Sequence, residues 1–389
     1  MFFCQPSQTV PRGRSGFFRV AKSLAALWFI STAAAKAVEP STNEFIPDAP
    51  KLWIRDVELR ASTGYKDNLT LSRTATEKSI LFGSGADVTI ARLPLDGKQF
   101  TLLLSVDDAR YPQSDQVTHE DIIVALAQFK VDTSSHWRLG LDARYVFQDQ
   151  VVDTSITETN LTATLIRGNG VALIPNVRWM FTHDTWLELS GTAQRQFYRE
   201  PLDDYWEGGP KLMLGRDYGH RSSLTLAYSW NVRDYDTREQ VSLSGTNLAG
   251  TSLEFLQHDV ELAWRHNWDA PRHWRTATRL GFQDNQDNGP GFYDYRRYSA
   301  TQQLRYVAPT WEIKAQGRVS FYDFEFQHIS ATDSDLRQKA TVNVSLRGEK
   351  KLGRYWSLFA EYEYEQSLSN RTVDEYRANR VAGGLGVKF

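Results

Sequence analysis

From Trp53 to Phe389 apolar side chains recur at every second position over long runs, and that period leaves the chain very little choice of fold. One run sets Trp311, Ile313, Ala315, Gly317, Val319 and Phe321 against Glu312, Lys314, Gln316, Arg318, Ser320 and Tyr322. A second sets Trp356, Leu358, Ala360, Tyr362 and Tyr364 against Ser357, Phe359, Glu361, Glu363 and Glu365. A third sets Trp137, Leu139, Leu141, Ala143, Tyr145 and Phe147 against Arg138, Gly140, Asp142 and Arg144. Wound as helices, these segments would scatter their apolar residues around the whole circumference and leave no stripe to bury. As strands, each has one apolar and one charged face.

Soluble β-sandwiches alternate too, so the length of the runs matters. They extend over about 11 to 15 residues, more than the roughly 9 to 11 that a tilted strand needs to cross hydrocarbon. Sandwich strands are nearer about five or six. Trp137, Trp186, Trp274, Trp311 and Trp356 each follow a short turn and open a strand, the pattern of an aromatic girdle at one membrane interface. Short turns are expected near Asp96-Gly97, Thr133–Ser135, Thr182–Asp184, Tyr218–Arg221, Asp269–His273, Ala308-Pro309 and Leu352–Arg354. With a first strand near Val57–Tyr65 and a last near Val381–Phe389, these turns predict an all-β, up-and-down antiparallel transmembrane barrel of about sixteen strands. Fourteen or eighteen remain open, since 157–181 holds either one strand or two.

The mean hydropathy of −0.48 looks soluble. That is expected where half of every strand faces a polar lumen. With 45 basic and 47 acidic residues, the chain has no excess positive charge to bring to nucleic acid. The N-terminus reads as an export signal: Arg12, Arg14, Arg19 and Lys22 precede the apolar run Ser23–Ala35, and Ala35-Lys36-Ala37 offers a cleavage site after Ala37. The run is shorter than the roughly 20 residues of a membrane-spanning helix. The expected organisation is a signal over 1–37, a short periplasmic leader over 38–52 and the barrel over 53–389. The single cysteine, Cys4, falls in the signal, so the mature chain would carry no thiol for a metal or a nucleophile.

If the Trp-aligned face meets lipid, the other face lines the lumen. It carries Arg60, Arg138, Arg144, Arg265, Arg275, Arg279, Arg305, Lys314, Arg318, Arg337 and Lys339, with Asp142, Glu261, Glu361, Glu363 and Glu365 as acidic counterparts. Rows of fixed charge select ions, which predicts a polar channel with weak anion preference. The competing reading is mutual neutralisation across strands. A turn near Lys351 would set Arg337 opposite Glu365 and Lys339 opposite Glu363. No connection has the length expected of an infolded constriction loop; the longest, 236–253, is polar and suits a mobile surface loop. His136, His183, His220, His266 and His273 lie at the turns, with no triad or metal-ligand spacing. No enzyme, cofactor or metal site is expected; Asp284, Asp287 and Asp294 read as solvated loop residues before they read as Ca²⁺ ligands.

The terminal run Val381, Gly383, Leu385, Val387, Phe389 resembles the C-terminal signal of bacterial outer-membrane barrels. Together with Gly64-Tyr65-Lys66-Asp67-Asn68-Leu69 and the repeated turn-Trp-strand units, it makes the chain similar to the β-barrel porins associated with exopolysaccharide operons and to the barrels of surface lipoprotein assembly modifiers. Those barrels commonly carry Gly-Tyr-Asp-x-Asn; here Lys66 stands at the Asp position. The resemblance implies an outer-membrane location and passage of small solutes or secreted polysaccharide. It also implies partners in lipid, lipopolysaccharide and the barrel-assembly machinery, the last through Phe389. A noncatalytic assembly or anchoring role, acting through partners, is the alternative, and an outer-membrane hydrolase ranks after it.

Overall fold

The computed structural model describes residues 52–94, 96–158, 162–330 and 333–389. The expected signal and nearly all of the leader lie outside the described residues. The rest is a closed antiparallel barrel of sixteen strands, each paired with its sequence neighbours. They are β1 (Trp53–Lys66), β2 (Ser79–Arg92), β3 (Lys98–Arg110), β4 (His119–Asp132), β5 (Trp137–Asp153) and β6 (Ala163–Met180). Next come β7 (Thr185–Tyr198), β8 (Tyr205–Tyr218), β9 (Ser222–Tyr235), β10 (Glu254–Asn267) and β11 (Trp274–Asp287). The wall ends with β12 (Tyr295–Val307), β13 (Trp311–Ser330), β14 (Asp333–Lys351), β15 (Trp356–Ser369) and β16 (Tyr376–Lys388). The seven short turns fall at the expected places, and 157–181 contributes a single strand, β6.

Closure is made by β1 and β16, in register from Glu58 opposite Lys388 to Lys66 opposite Arg380. Phe389 continues the seam, donating its N–H to the Val57 carbonyl at 2.9 Å. Gly64 is demanded here: a Cβ on it would lie 2.1 Å from the Val381 carbonyl oxygen. One residue past β1, the Asp67 carboxylate accepts the Asn379 backbone and side-chain N–H groups, both at 2.6 Å. Asn68, 2% exposed, donates to the carbonyls of Ser72 and Arg377. The Gly64–Asn68 motif is therefore the clasp of the barrel seam.

The alternation resolves into an apolar outside and a polar inside. Leu139, Leu141, Leu212, Leu214, Leu226, Leu346 and Leu358 all stand outward and 46–49% exposed. Water-soluble monomers do not carry a continuous apolar band of this kind. Among the described residues the only helical element is a three-residue 3₁₀ turn, Thr372–Asp374, and no helix is long and apolar enough to cross a membrane.

Two expected pairings are overturned. The β14–β15 turn is centred on Leu352–Tyr355, so Lys351 faces Ser357, Arg347 faces Glu361, Ser345 faces Glu363 and Asn343 faces Glu365. Lys339 lies opposite Ser369 instead of Glu363. Arg337 is carried beyond the last pair of that ladder, away from Glu365. A turn displaced by a few residues moves every pair above it by twice as much, because both strands of the hairpin shift.

The closed seam gives a direct test. In a Cys4→Ser background, Leu59→Cys with Val387→Cys is expected to form a disulfide on oxidation, since these residues are paired across β1 and β16 and paired strands fall within disulfide reach. Leu59→Cys with Gly383→Cys, displaced by about 13 Å along the strand, is expected to form none; cross-linking of both pairs to the same extent would refute the register.

Candidate functional site: a charged lumen crossed by one hairpin

The register places all sixteen expected charges on the inward face, but their partners divide them into four groups. Arg60, Arg138, Glu261, Arg279, Arg305, Glu361 and Glu363 neutralise neighbours. Arg60 bridges Asp87 and Asp107; Arg138 meets Asp132; Arg279 meets Glu261 at 3.3 Å. Arg305 meets Glu312, Arg347 meets Glu361, and Arg380 meets both Glu361 and Glu363. Asp142, Arg144, Arg275 and Glu365 take neutral partners: Gln128, Gln194, the Arg272 carbonyl and the Tyr376 hydroxyl. Arg265, Lys314 and Arg318 have no ion-pair partner among the described residues.

Arg337 and Lys339 behave differently, for both are fully buried. Gln327 and Asp374 reach Arg337 from neighbouring elements, but the other partners, Asp153 and Ser155, come from the opposite side of the barrel. β5 and β6, at 17 and 18 residues, outlast their neighbours, and their pairing continues to Asp153 opposite Ala163. Beyond it lies the hairpin end, described over 154–158 and at Thr162 and closed by the Thr154 N–H on the Thr162 carbonyl at 3.0 Å. This end reaches β14, about half the circumference away. Lys339 Nζ donates to the Asp153 carboxylate and to Ser155 Oγ. Arg337 donates to the Ser155 carbonyl at 2.8 Å, to Gln327 Oε1 at 2.6 Å and to Asp374 Oδ2 at 2.8 Å, with its guanidinium 4.6 Å above the Phe324 ring.

A second set of contacts holds the other side of the hairpin end. Arg238, in the 236–253 connection, donates to the Thr157 carbonyl, to Glu158 Oε1 at 2.9 Å and to the Tyr293 hydroxyl at 2.8 Å. Ile156 packs on Tyr295, Tyr322 and Phe324. The expectation of no infolded constriction is therefore corrected: a short hairpin end on long strands crosses the lumen. The 236–253 connection is likewise no free surface loop, since Val241 and Leu253 are buried against Tyr205, Tyr235, Phe255, Phe292 and Tyr293.

On the other flank the 67–78 connection folds inward, burying Leu69 and Leu71 with Leu81, Tyr111, Val117, Val151 and Tyr376. Below these packed layers lie two cavities. The larger, about 700 Å³, is lined by four basic residues and seven acidic ones, including Asp87, Asp107, Glu120, Glu361, Glu363 and Glu365. The smaller, about 340 Å³, reverses the balance, with Lys211, Arg279, Arg297 and Arg318 against Asp259 and Glu261.

Four of the five expected girdle tryptophans, Trp137, Trp274, Trp311 and Trp356, stand outward and 44–53% exposed. Trp186 is the correction: it points into the lumen and is 4% exposed. β7 opens at Thr185, so Trp186 is its second residue and falls on the inward face, whereas each of the others opens its strand. Its ring lies flat against Gly215, where an added Cβ would come within 2.2 Å, and the Arg178 guanidinium sits 3.7 Å above it. Asp287 and Asp294 brace their own loop. Asp287 accepts the N–H groups of Gly289, Gly291 and Tyr293, and Asp294 accepts that of Asp287. Among the described residues no group of three His, Cys, Asp or Glu side chains is placed to hold a metal.

Sequence reasoning missed Asp153, Ser155, Glu158, Arg238 and Asp374, the partners that hold the crossing hairpin. The available signal was the unusual reach of the apolar alternation in β5 and β6, which shows only that the hairpin overhangs.

No protein-family model matches the chain, and no curated protein sequence is similar to it. Among solved structures, the barrel is similar to OccAB1 of Acinetobacter baumannii, at 11% identity over 87% of this chain and 97% of that one, with a TM-score of 0.46. It is also similar to a BenF-like porin from Pseudomonas fluorescens Pf-5, at 8% identity over 87% and 99%, with a TM-score of 0.44. OmpT, an outer membrane protein of Vibrio cholerae, shares 13% identity over 89% and 100%, with a TM-score of 0.39.

Two expectations follow for the hairpin. Arg337→Ala leaves Asp374 buried without its cation, a loss of about 3–5 kcal/mol for a buried pair, and frees the Ser155 carbonyl. Limited proteolysis of the folded barrel is expected to gain a cut within 154–162; continued resistance would remove Arg337 from the clamp. The second concerns pH. Burial raises the Glu158 carboxyl from the ordinary range near 4.5 to about 7, against the lowering effect of Arg238. This seat prefers the protonated acid, so its contribution to docking is complete below the ordinary carboxyl range and is lost as pH rises through about 7. Amide protection over 154–158, corrected for intrinsic exchange, is expected to be higher at pH 5 than at pH 8, and Glu158→Gln to remove most of the difference. Protection that rises with pH would reverse the sign and sink this account.

Proposed function

We propose that this chain is a passive channel of the bacterial outer membrane, narrowed by its β5–β6 hairpin and selecting small hydrophilic solutes by charge and size. The observation that carries the reading is the pair of charged cavities inside a wall whose outer face is apolar. Hydrocarbon accepts that outer face, and every strand satisfies its backbone against two neighbours, as a membrane requires. The short turns then lie on the periplasmic side with the exposed tryptophans at the headgroup level, and the packed connections face outward. Export through the cleaved N-terminal signal and recognition of Phe389 by the assembly machinery belong to the same reading, as do contacts with lipopolysaccharide at the outer rim.

Selection here needs no chemistry. Lumen charges fixed in ion pairs hold the wall rigid, while those without partners, Arg265, Lys314 and Arg318, meet the solute. The hairpin decides what size passes. A channel this narrow favours small solutes; secreted polysaccharide, which the likeness of Gly64–Asn68 to exopolysaccharide-associated barrels implies, is the second cargo and would require the hairpin to swing clear.

The test is single-channel current of the refolded mature protein in a planar bilayer. A steady conductance is expected, with a larger one for Arg337→Ala because the clamp at β14 is released. Insertion of both proteins without current, each still heat-modifiable on a gel, would overturn the channel reading and favour an assembly or anchoring role.

A further inference from the structure

We infer that the lumen is fitted to a dipolar solute, one whose ammonium and carboxylate are separated, such as an amino acid or a short peptide. This rests on the channel reading and adds the substrate class. The two cavities are opposite in sign, and both are lined by Gln316 of β13, a neutral side chain at the seam between them. Two positions along the same inward row stands Arg318, in the basic cavity.

The excess charge on each side is available to a visitor. In the acidic cavity, Arg60 is shared between Asp87 and Asp107, and Arg380 between Glu361 and Glu363. Arg347 also meets Glu361, but four basic residues stand against seven acidic ones around this cavity, which leaves net negative charge, and Asp107 and Glu363 keep side-chain exposures of 60% and 44%. In the basic cavity, Lys211 and Arg318 have no ion-pair partner among the described residues, while Arg297 stands 3.7 Å from Asp259. Fixed charges of opposite sign across a water-filled gap with low-dielectric walls make a transverse field. A simple anion is drawn to one side and repelled from the other, and so is a simple cation. A zwitterion lying across Gln316 is favoured at both ends, its carboxylate toward Arg318 and Lys211 and its ammonium toward Asp107 and Glu363.

The experiment is uptake into proteoliposomes of four probes of similar size: glycylglycine as zwitterion, N-acetylglycinamide as neutral, N-acetylglycine as anion and glycylglycinamide as cation. Glycylglycine is expected to enter about threefold to tenfold faster than N-acetylglycinamide, and faster than either singly charged probe. The ratio of glycylglycine to neutral flux is expected to fall toward one in Lys211→Gln with Arg318→Gln. It is expected to fall likewise in Asp107→Asn with Glu363→Gln, which attacks the other end of the field and keeps the test independent of how well one variant folds. Equal entry of all four probes, or fastest entry of the anion or the cation, would overturn the inference while leaving the channel standing. Entry of none would remove both, and is told apart by the absence of current in the bilayer.

Discussion

Everything in this barrel depends on the closure of one backbone ladder. A sheet with open edges presents unpaired N–H and C=O groups, which neither hydrocarbon nor a neighbouring copy tolerates without consequence. The β1–β16 seam removes both edges, and the residues there are chosen for it. Gly64 lets the backbones approach, Asp67 and Asn68 tie the strand end to β16, and Phe389 continues the pairing to the last residue. With the ladder closed, alternation has only two destinations, outward or inward, and each side chain is sorted by a single parity.

That sorting produces an interior too polar to pack as a core in its middle, so the chain fills one end with other material. Three apolar clusters lie at the end of the longer connections, built from strand ends and from 67–78, 236–253 and the Phe292–Tyr293 segment. Between them runs the β5–β6 hairpin, held by buried Arg337, Lys339 and Arg238. A buried cation without its partner is expensive, so these three define one position for the hairpin far more sharply than apolar contact would. The same logic explains the placement of Trp186: an indole inside the lumen is acceptable because Gly215 gives it a flat seat, Arg178 covers its face and Asp217 accepts its N–H.

The legible part of the sequence was whatever depends on local period. The strand count, the seven short turns, the outward tryptophans at the first position of a strand and the inward row of charges all follow from alternation and turn residues. The missed partners of the buried cations have one main cause, distance along the chain. The Arg337 partners lie at Ser155, Gln327 and Asp374, and those of Lys339 at Asp153 and Ser155. Centring the β14–β15 pairing on Lys351, short of the turn itself, was enough to replace them with Glu365 and Glu363. Trp186 failed for a smaller reason, one residue of offset at the start of β7, which in a period of two exchanges inside for outside.

The sequence by itself determined that this chain is a barrel with an apolar exterior and a charged lumen, because a two-residue period is a local property that survives without knowledge of any contact. Only the tertiary structure decided which charges are spent on one another, which are left facing the lumen, and that a hairpin crosses it. Those outcomes depend on which strands stand opposite one another in a closed ring of sixteen. Opposition across a ring is set by closure and shear, and no stretch of sequence carries it.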